Sequence, residues 1–301
     1  MHITHHSSNI YIAYLYFMYL IKSAFAYYTL RISRRTPYIM LYISFLLAAC
    51  SPNPYAATNR VYKQQAKTLA QTLRSAPGFI DSVKQPPYWV GTTNFNLRKP
   101  NFVIIHHTAQ NSCEQTLRTF TLARTQVSAH YVICKDGTVH HMLNDYLRAW
   151  QAGISKWGND ADINSASIGI ELDNNGFEPF AEPQISSLLQ LLKTLKGSYN
   201  IPAANFIGHG DIAPTRKNDP NYLFPWKQLA DSGYGYWYSD TANVQVPENF
   251  NHLQALRIIG YDIKDTSAAI QAFKRHWMQD TTRQMYEADR KILFSLFTKY
   301  Q

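Results

Sequence analysis

The chain has 301 residues, of which 46% are hydrophobic and 16% charged. That is enough apolar side chain for a core and excludes low-complexity disorder, while the length allows one large domain or two smaller ones. The net charge is +9, but residues 1–49 hold Lys22, Arg31, Arg34 and Arg35 and no acid, and the remainder carries 25 Lys and Arg against 20 Asp and Glu, a balance of +5. So diffuse an excess suits an anionic polymer or surface. With no basic run of five and no stacking-aromatic motif, it makes no case for nucleic acid.

Taken in chain order, residues 10–30 are apolar and Tyr-rich. Arg31, Arg34 and Arg35 follow, then an apolar run from Tyr38 to Leu47 that ends in Leu47-Ala48-Ala49-Cys50. A basic stretch, about ten apolar residues and a small-residue cleavage site describe a signal segment over 1–49; the run from Tyr38 to Leu47 is too short to span a membrane. Residues 1–30 extend it unusually, as a second apolar segment or a start site placed too far upstream. Leu47 to Cys50 resembles the bacterial lipoprotein box. That resemblance implies acylation of the Cys50 thiol, with residues 50–58 as a lipidated tether to the membrane and Ser51 favouring the outer membrane of a cell envelope, facing the periplasm. The plainer alternative for Cys50 is an ordinary buried thiol.

The next residues, 59–75, read as a helix stopped by Pro77-Gly78. Phe102-Val-Ile-Ile105 is a buried strand. Glu114 to Thr125 has helical spacing, and His130 to Cys134 is a second strand, with Asp136-Gly137 turning into Thr138–Met142. Ser167 to Leu172 is another strand, Pro183 to Lys196 an amphipathic helix ended by Gly197, and Asn205 to Gly208 a last strand. Strands alternating with helices imply an α/β fold, a mixed sheet covered by helices. From about residue 241 the texture becomes helical only, with apolar groups at Leu253/Leu256/Ile258/Ile259, Ile270/Phe273/Trp277 and Ile292/Leu293/Leu296/Phe297. The expected division is therefore 59–240 for the mixed domain and 241–301 for a small three-helix domain. Cys113 and Cys134 can pair in an exported protein; Cys134, inside an apolar run, reads rather as a small buried residue.

Three polar residues sit at the ends of buried elements: His106 after Ile105, His209 in Gly-His-Gly-Asp, and Asp219 ten residues later. Two imidazoles and a carboxylate suit Zn²⁺ with a fourth position open, although a lone His at a strand end is commonly structural. Glu171 lies in Ser-Ile-Gly-Ile-Glu-Leu, where a carboxylate is costly unless paired or used; alternation onto a polar face is the plainer account. Trp150, Trp157, Tyr222, Phe224 and Trp226 suit either the wall of a binding groove or the core.

In order, Ile-Ile-His106-His-Thr-Ala, Val-Ser-Ala-His-Tyr-Val-Ile, Ser-Ile-Gly-Ile-Glu171-Leu, Gly-His209-Gly-Asp-Ile-Ala-Pro and Arg-Lys217-Asn-Asp219-Pro resemble the zinc-dependent N-acetylmuramoyl-L-alanine amidases of the type 2 amidase family, over about residues 98–230. This family shares its fold with phage T7-type lysozyme and the peptidoglycan recognition proteins. The likeness extends to its outer-membrane lipoprotein branch, whose small helical peptidoglycan-binding module residues 253–261 and 268–276 resemble more loosely. The resemblance implies a hydrolase that cuts the amide between the lactyl group of N-acetylmuramic acid and L-Ala of peptidoglycan stem peptides. It makes His106, His209 and Asp219 the zinc ligands, Glu171 the general base and acid, and Lys217 the oxyanion stabiliser. His107, pointing to the other strand face, is expected to be structural, and His130, His140 and His141 packed or solvated.

Two positions depart from the pattern. Ala129 stands where phage relatives carry a catalytic Tyr. In Arg148-Ala-Trp-Gln151-Ala-Gly, Gln151 stands where the family usually has His, so any proton role there is lost while a positional one remains. The rival class is a non-catalytic peptidoglycan-binding protein, which would keep the fold but lose a metal ligand; all three positions are occupied here. A phage-type regulatory partner is a weaker rival, which the lipoprotein box disfavours.

Overall fold

The computed structural model describes residues 53–75, 87–97 and 99–301, with Tyr19, Leu20 and Lys22. Cys50, Pro77-Gly78 and the remainder of the expected signal segment lie outside the described residues. By its internal contacts the chain divides into two units, between Trp89 and Val90. In the first, helix α1 (Ala56–Arg74) buries none of its residues. It begins three residues before the expected position, because Ala56, Ala57 and Thr58 join the helix rather than the tether. Among the described residues, no helix is long and apolar enough to cross a membrane.

The second unit is built on a five-stranded sheet: β1 (Phe102–His107), β2 (Tyr131–Ile133), β3 (Val139–His141), β4 (Ser167–Leu172) and β5 (Phe206–Gly208), in spatial order β3-β2-β4-β1-β5. Strands β2, β4, β1 and β5 run parallel and β3 is antiparallel at the edge, so the expected mixed sheet is the one found. All six residues of β1 are buried, which accounts for its near-continuous apolar run.

Strand alternation sends Val103, Ile105, Ile168, Ile170, Leu172 and Phe206 to one face. There they meet Ile185, Leu188, Leu192 and Leu195 of α4 (Glu182–Tyr199), a stripe at helical spacing. Each such side chain, fully buried, contributes about 1.5–3 kcal/mol. Gly197 does not end α4; the helix continues to Tyr199 and closes on Asn200 in the left-handed region (φ 52°), with Pro202 following.

Ile104 and Ile207 point to the opposite face. Three C-terminal helices pack there: α7 (His252–Ile259), α8 (Thr266–Met278) and α9 (Glu287–Tyr300). Leu256, Ile259, Phe273, Trp277, Leu293 and Leu296 share one apolar cluster with the sheet residues, so these helices form one compact unit with the sheet. Ile258, grouped with them by pattern, is 44% exposed. The expected helix from Glu114 runs as α2 (Cys113–Thr121) and tightens into a 3₁₀ turn at Ala123–Thr125, and two further short helices are α3 (Ile163–Ala166) and α6 (Trp226–Asp231). Cys113 and Cys134 form a disulfide with Cα atoms 5.3 Å apart, tying the start of α2 to the end of β2. Cys134 is therefore not the free buried thiol its apolar run suggests: the strand ends at Ile133, and the next residue already faces α2.

Candidate functional site

The parallel register of β1 and β4 sets His106 opposite Glu171, and alternation turns both to the face of Ile104. The neighbouring β5 ends at Gly208, where the chain enters a short helical turn, α5 (His209–Ile212). That turn is closed by Asp211, whose Oδ2 accepts the Gly208 N–H at 2.8 Å. The chain returns ten residues later, and the Gly210 N–H donates to the Asp219 carbonyl at 2.6 Å, which sets the Asp219 carboxylate beside His209. Three distant sequence positions thus converge at the carboxyl ends of parallel strands, where open α/β sheets place their sites.

His106, His209 and Asp219 are all buried, and their ligand-type atoms lie within 4.8 Å of one another. Asp219 Oδ2 is 3.0 Å from His106 Nδ1 and 3.1 Å from His209 Nδ1. The far side of each ring decides its protonation. His106 Nε2 faces Gln151 Oε1 at 2.6 Å, and His209 Nε2 faces the Ala152 carbonyl at 3.1 Å. A carbonyl oxygen only accepts, so each Nε2 carries a proton, and in the neutral form that a metal ligand requires each ring turns its Nδ1 lone pair toward Asp219. Two lone pairs and a carboxylate oxygen facing one another repel unless a cation lies among them. Zinc bonds of about 2.0–2.1 Å in tetrahedral geometry put donor atoms about 3.3 Å apart, close to the two sides that meet at Asp219, 3.0 and 3.1 Å. The donor set fits zinc. The other close group, Cys113, Cys134 and His140, does not, since its sulfurs are consumed in the disulfide.

Glu171 Oε1 is 3.9 Å from His106 Nδ1, and its Oε2 is buried without a hydrogen-bond partner. Burial raises the pKa of this carboxyl, against the opposing pull of His106 and Lys217. Burial also works against ionisation of Asp219, but His106 and His209, which donate to it whenever their Nδ1 atoms are protonated, outweigh it and hold that carboxyl well below the ordinary range. Lys217 is exposed, and its charge is felt at Glu171. Three of the five expected site residues therefore form the buried triangle, half-buried Glu171 lies beside it, and exposed Lys217 is near enough for its charge to act on Glu171.

The other candidates separate. His107 turns to the opposite face, where its Nδ1 accepts the Asn221 N–H at 3.0 Å, and burial lowers its pKa. His130 is fully buried, accepting from Gly169 and donating to Leu147. His141 stacks on Tyr131. Trp157, Phe224 and Trp226 belong to the core, whereas Trp150 and Tyr222 are exposed. Sequence reasoning missed Ser167, Asn164 and Arg216, which hold the segment carrying Gln151 and Ala152. Their signal is weak, because each is a polar residue of ordinary appearance at an element end or in a loop.

An α/β sheet carrying a His, His, Asp triangle able to hold a metal ion, beside a half-buried glutamate whose Oε2 has no hydrogen-bond partner, is a hydrolase type of site. Residues 96–222 match the family model described as N-acetylmuramoyl-L-alanine amidase. The chain is 34% identical over 206 residues to N-acetylmuramoyl-L-alanine amidase AmiD of Escherichia coli, covering 58% of this chain and 74% of that one. It is 38% identical over 108 residues to the 1,6-anhydro-N-acetylmuramyl-L-alanine amidase AmpD of Enterobacter cloacae, spanning 36% of this chain and 58% of the relative's length. The solved complex of E. coli AmiD with anhydro-N-acetylmuramic acid-L-Ala-D-gamma-Glu-L-Lys superposes with a TM-score of 0.62 at 29% identity, over 72% of this chain and 97% of that one. The chain belongs to the N-acetylmuramoyl-L-alanine amidase family.

Proposed function

We propose that this protein hydrolyses the amide between the lactyl group of N-acetylmuramic acid and L-Ala of peptidoglycan stem peptides, with zinc held by His106, His209 and Asp219. The observation that carries this reading is the convergence of these three buried side chains beside Glu171. What zinc supplies when bound is Lewis acidity at the scissile carbonyl. Glu171, with an unpartnered buried Oε2 and a raised pKa, takes the proton of the attacking water and returns it to the departing L-Ala nitrogen. Lys217, on the solvent side, offsets the charge that develops on the carbonyl oxygen. Removal of one such donor typically costs about 10²–10³ in turnover.

The bound muropeptide in the AmiD complex supports peptidoglycan fragments as the ligand class. The remaining parts of the proposal are Cys50 as the acylated residue after signal removal, a tether over 50–58, a mixed catalytic domain over 59–240, and wall binding by 241–301. An outer-membrane position facing the periplasm follows from the lipoprotein box. The Cys113–Cys134 disulfide suits such an oxidising compartment. Palmitate labelling of cells expressing the chain tests the anchor: label should vanish with Cys50→Ala. The chemistry is tested by mass spectrometry of muropeptides incubated with the zinc-loaded protein. Free L-Ala-terminated peptide and intact muramic acid should appear, and should fail to appear after chelation. Intact substrate in both samples would overturn the assignment in favour of the non-catalytic peptidoglycan-binding alternative.

A further inference from the structure

The two candidate ligand rings share an outer support that neither the family match nor the five motifs assign. His106 Nε2 and His209 Nε2 are received by consecutive residues, Gln151 through its side chain and Ala152 through its main chain. This loop is itself fixed from behind. Asn164 Oδ1 accepts the N–H groups of both Gln151 and Ala152, at 3.0 and 2.8 Å, and Arg216 donates to the carbonyls of Ala152 and Ile154 at 2.9 and 2.7 Å.

A glutamine can present either an acceptor or a donor, so the way it faces matters. Here the direction is imposed by a chain of single-valued bonds. The Ser167 hydroxyl donates its one proton to the Ile163 carbonyl at 2.6 Å. Its oxygen is then left to accept, and it takes an N–H of the Gln151 amide at 2.8 Å. The amide oxygen is thereby turned to His106, and accepts from it. The sheet makes room for this arrangement: a Cβ on Gly169 in β4 would lie 2.6 Å from Gln151 Cγ, so the side chain occupies the hollow left by that glycine.

We infer that Gln151 is a positioning residue that locks His106 in the Nε2–H form, keeping the Nδ1 lone pair free for a metal. The inference rests on the zinc reading above. It also gives the position a task that needs no titration, one that glutamine performs because Ser167 removes its ambiguity. Outer partners of this kind typically change metal affinity about 10–100-fold.

The test compares the wild type with Gln151→Leu and Gln151→Glu in the full chain, by ¹⁵N NMR of the imidazole nitrogens in the metal-free protein and by zinc titration against a competing chelator. In the wild type, His106 Nε2 should be protonated. In Gln151→Leu it should become bare, with the proton moved to Nδ1 toward Asp219, and zinc affinity should fall about 10–100-fold. Gln151→Glu, which restores an acceptor, should restore both. Should Gln151→Leu keep Nε2 protonated, or bind zinc as tightly as the wild type, Gln151 merely fills space and the inference fails. Should the wild type bind no zinc while its Nε2 signal behaves as stated, the zinc reading fails and the lock on the ring stands.

Discussion

Among the described residues, two buried histidine–carboxylate clusters lie only two residues apart along the chain, at His209 and Asp211, and they are built oppositely. Around Asp211 every contact to the carboxylate is a donor. Oδ2 accepts from the Gly208 N–H and from His276 Nδ1 at 2.8 and 2.7 Å, and Oδ1 accepts from the Tyr261 hydroxyl at 3.0 Å. Burial raises the Tyr261 pKa well above its usual value, which keeps that donor protonated. His276 also stacks on Trp226 with centroids 3.8 Å apart. This is a closed network, and it fastens α8 to the turn that carries His209. Around Asp219 the Nε2 protons of both rings are committed elsewhere, so in the neutral rings the partner nitrogens are lone-pair sides. The same residue types therefore make a brace in one place and a cation site in the other. What separates them is where the second nitrogen of each ring is spent.

The sharpest division falls on Glu171. Replacing it with Gln should lower turnover about 10²–10⁴-fold, the usual share of general acid–base catalysis. One zinc per chain should remain by metal analysis, since Glu171 lies beside the triangle and is not one of its corners. Retained turnover would remove Glu171 from the chemistry, and lost zinc would make it a ligand. The brace answers to a different measurement. Asp211→Ala leaves the Gly208 N–H, the Tyr261 hydroxyl and His276 without acceptors. Urea denaturation should then show a loss of about 3–5 kcal/mol, the usual cost of breaking a buried pair. A loss below about 1 kcal/mol, the scale of an exposed ion pair, would mean that α8 is held by its apolar contacts alone. Because these helices share a core with the sheet, point variants of this kind test the 241–301 segment more cleanly than its removal.

Much of this contrast is readable in the sequence, but only one side of it. His106, Glu171, His209 and Asp219 stand out because polar residues in or at the ends of buried elements are few, and the fold brings them together; Lys217 is marked only by the family resemblance, since alone it reads as an ordinary solvated lysine. The strands were legible for the same reason, since their apolar runs are bounded by turn residues. The Asp211–His276 brace was not legible, because its members are 65 residues apart and an Asp in a turn and a His on a helix are both ordinary. Gln151 was legible as a departure but not in its effect, which depends on the direction of an amide set by Ser167. Asn200 rather than Gly197 ends α4 because a glycine inside a helix is a small cost that packing overrides, while a left-handed Asn followed by Pro202 is a firm stop.

Removing the cation distinguishes the clusters more gently. With zinc at about 100 times its Kd, binding adds about 2.7 kcal/mol of stability. Chelation should therefore lower the Tm by about 5–10 °C for a unit of this size. Asp211→Ala should start lower and show the same shift, since its defect is independent of the ion. A larger shift in that variant would show the brace and the metal site to be coupled through His209.

The smallest effect is the most discriminating. In the metal-free protein, Asp219→Asn exchanges a carboxylate among lone pairs for an amide whose N–H can donate to an imidazole nitrogen. Repulsion is relieved while attraction to any protonated ring is lost. Metal-free stability should therefore change by less than about 1 kcal/mol, although the thermal shift on adding zinc should disappear. The contrast with Asp211→Ala is the point: two buried aspartates, each touching a histidine, one indispensable to the fold and the other only to the ion. A metal-free loss of about 3 kcal/mol or more, the scale of a broken buried pair, would mean that Asp219 is held by a protonated ring. The triangle would then be a second brace rather than a cation site.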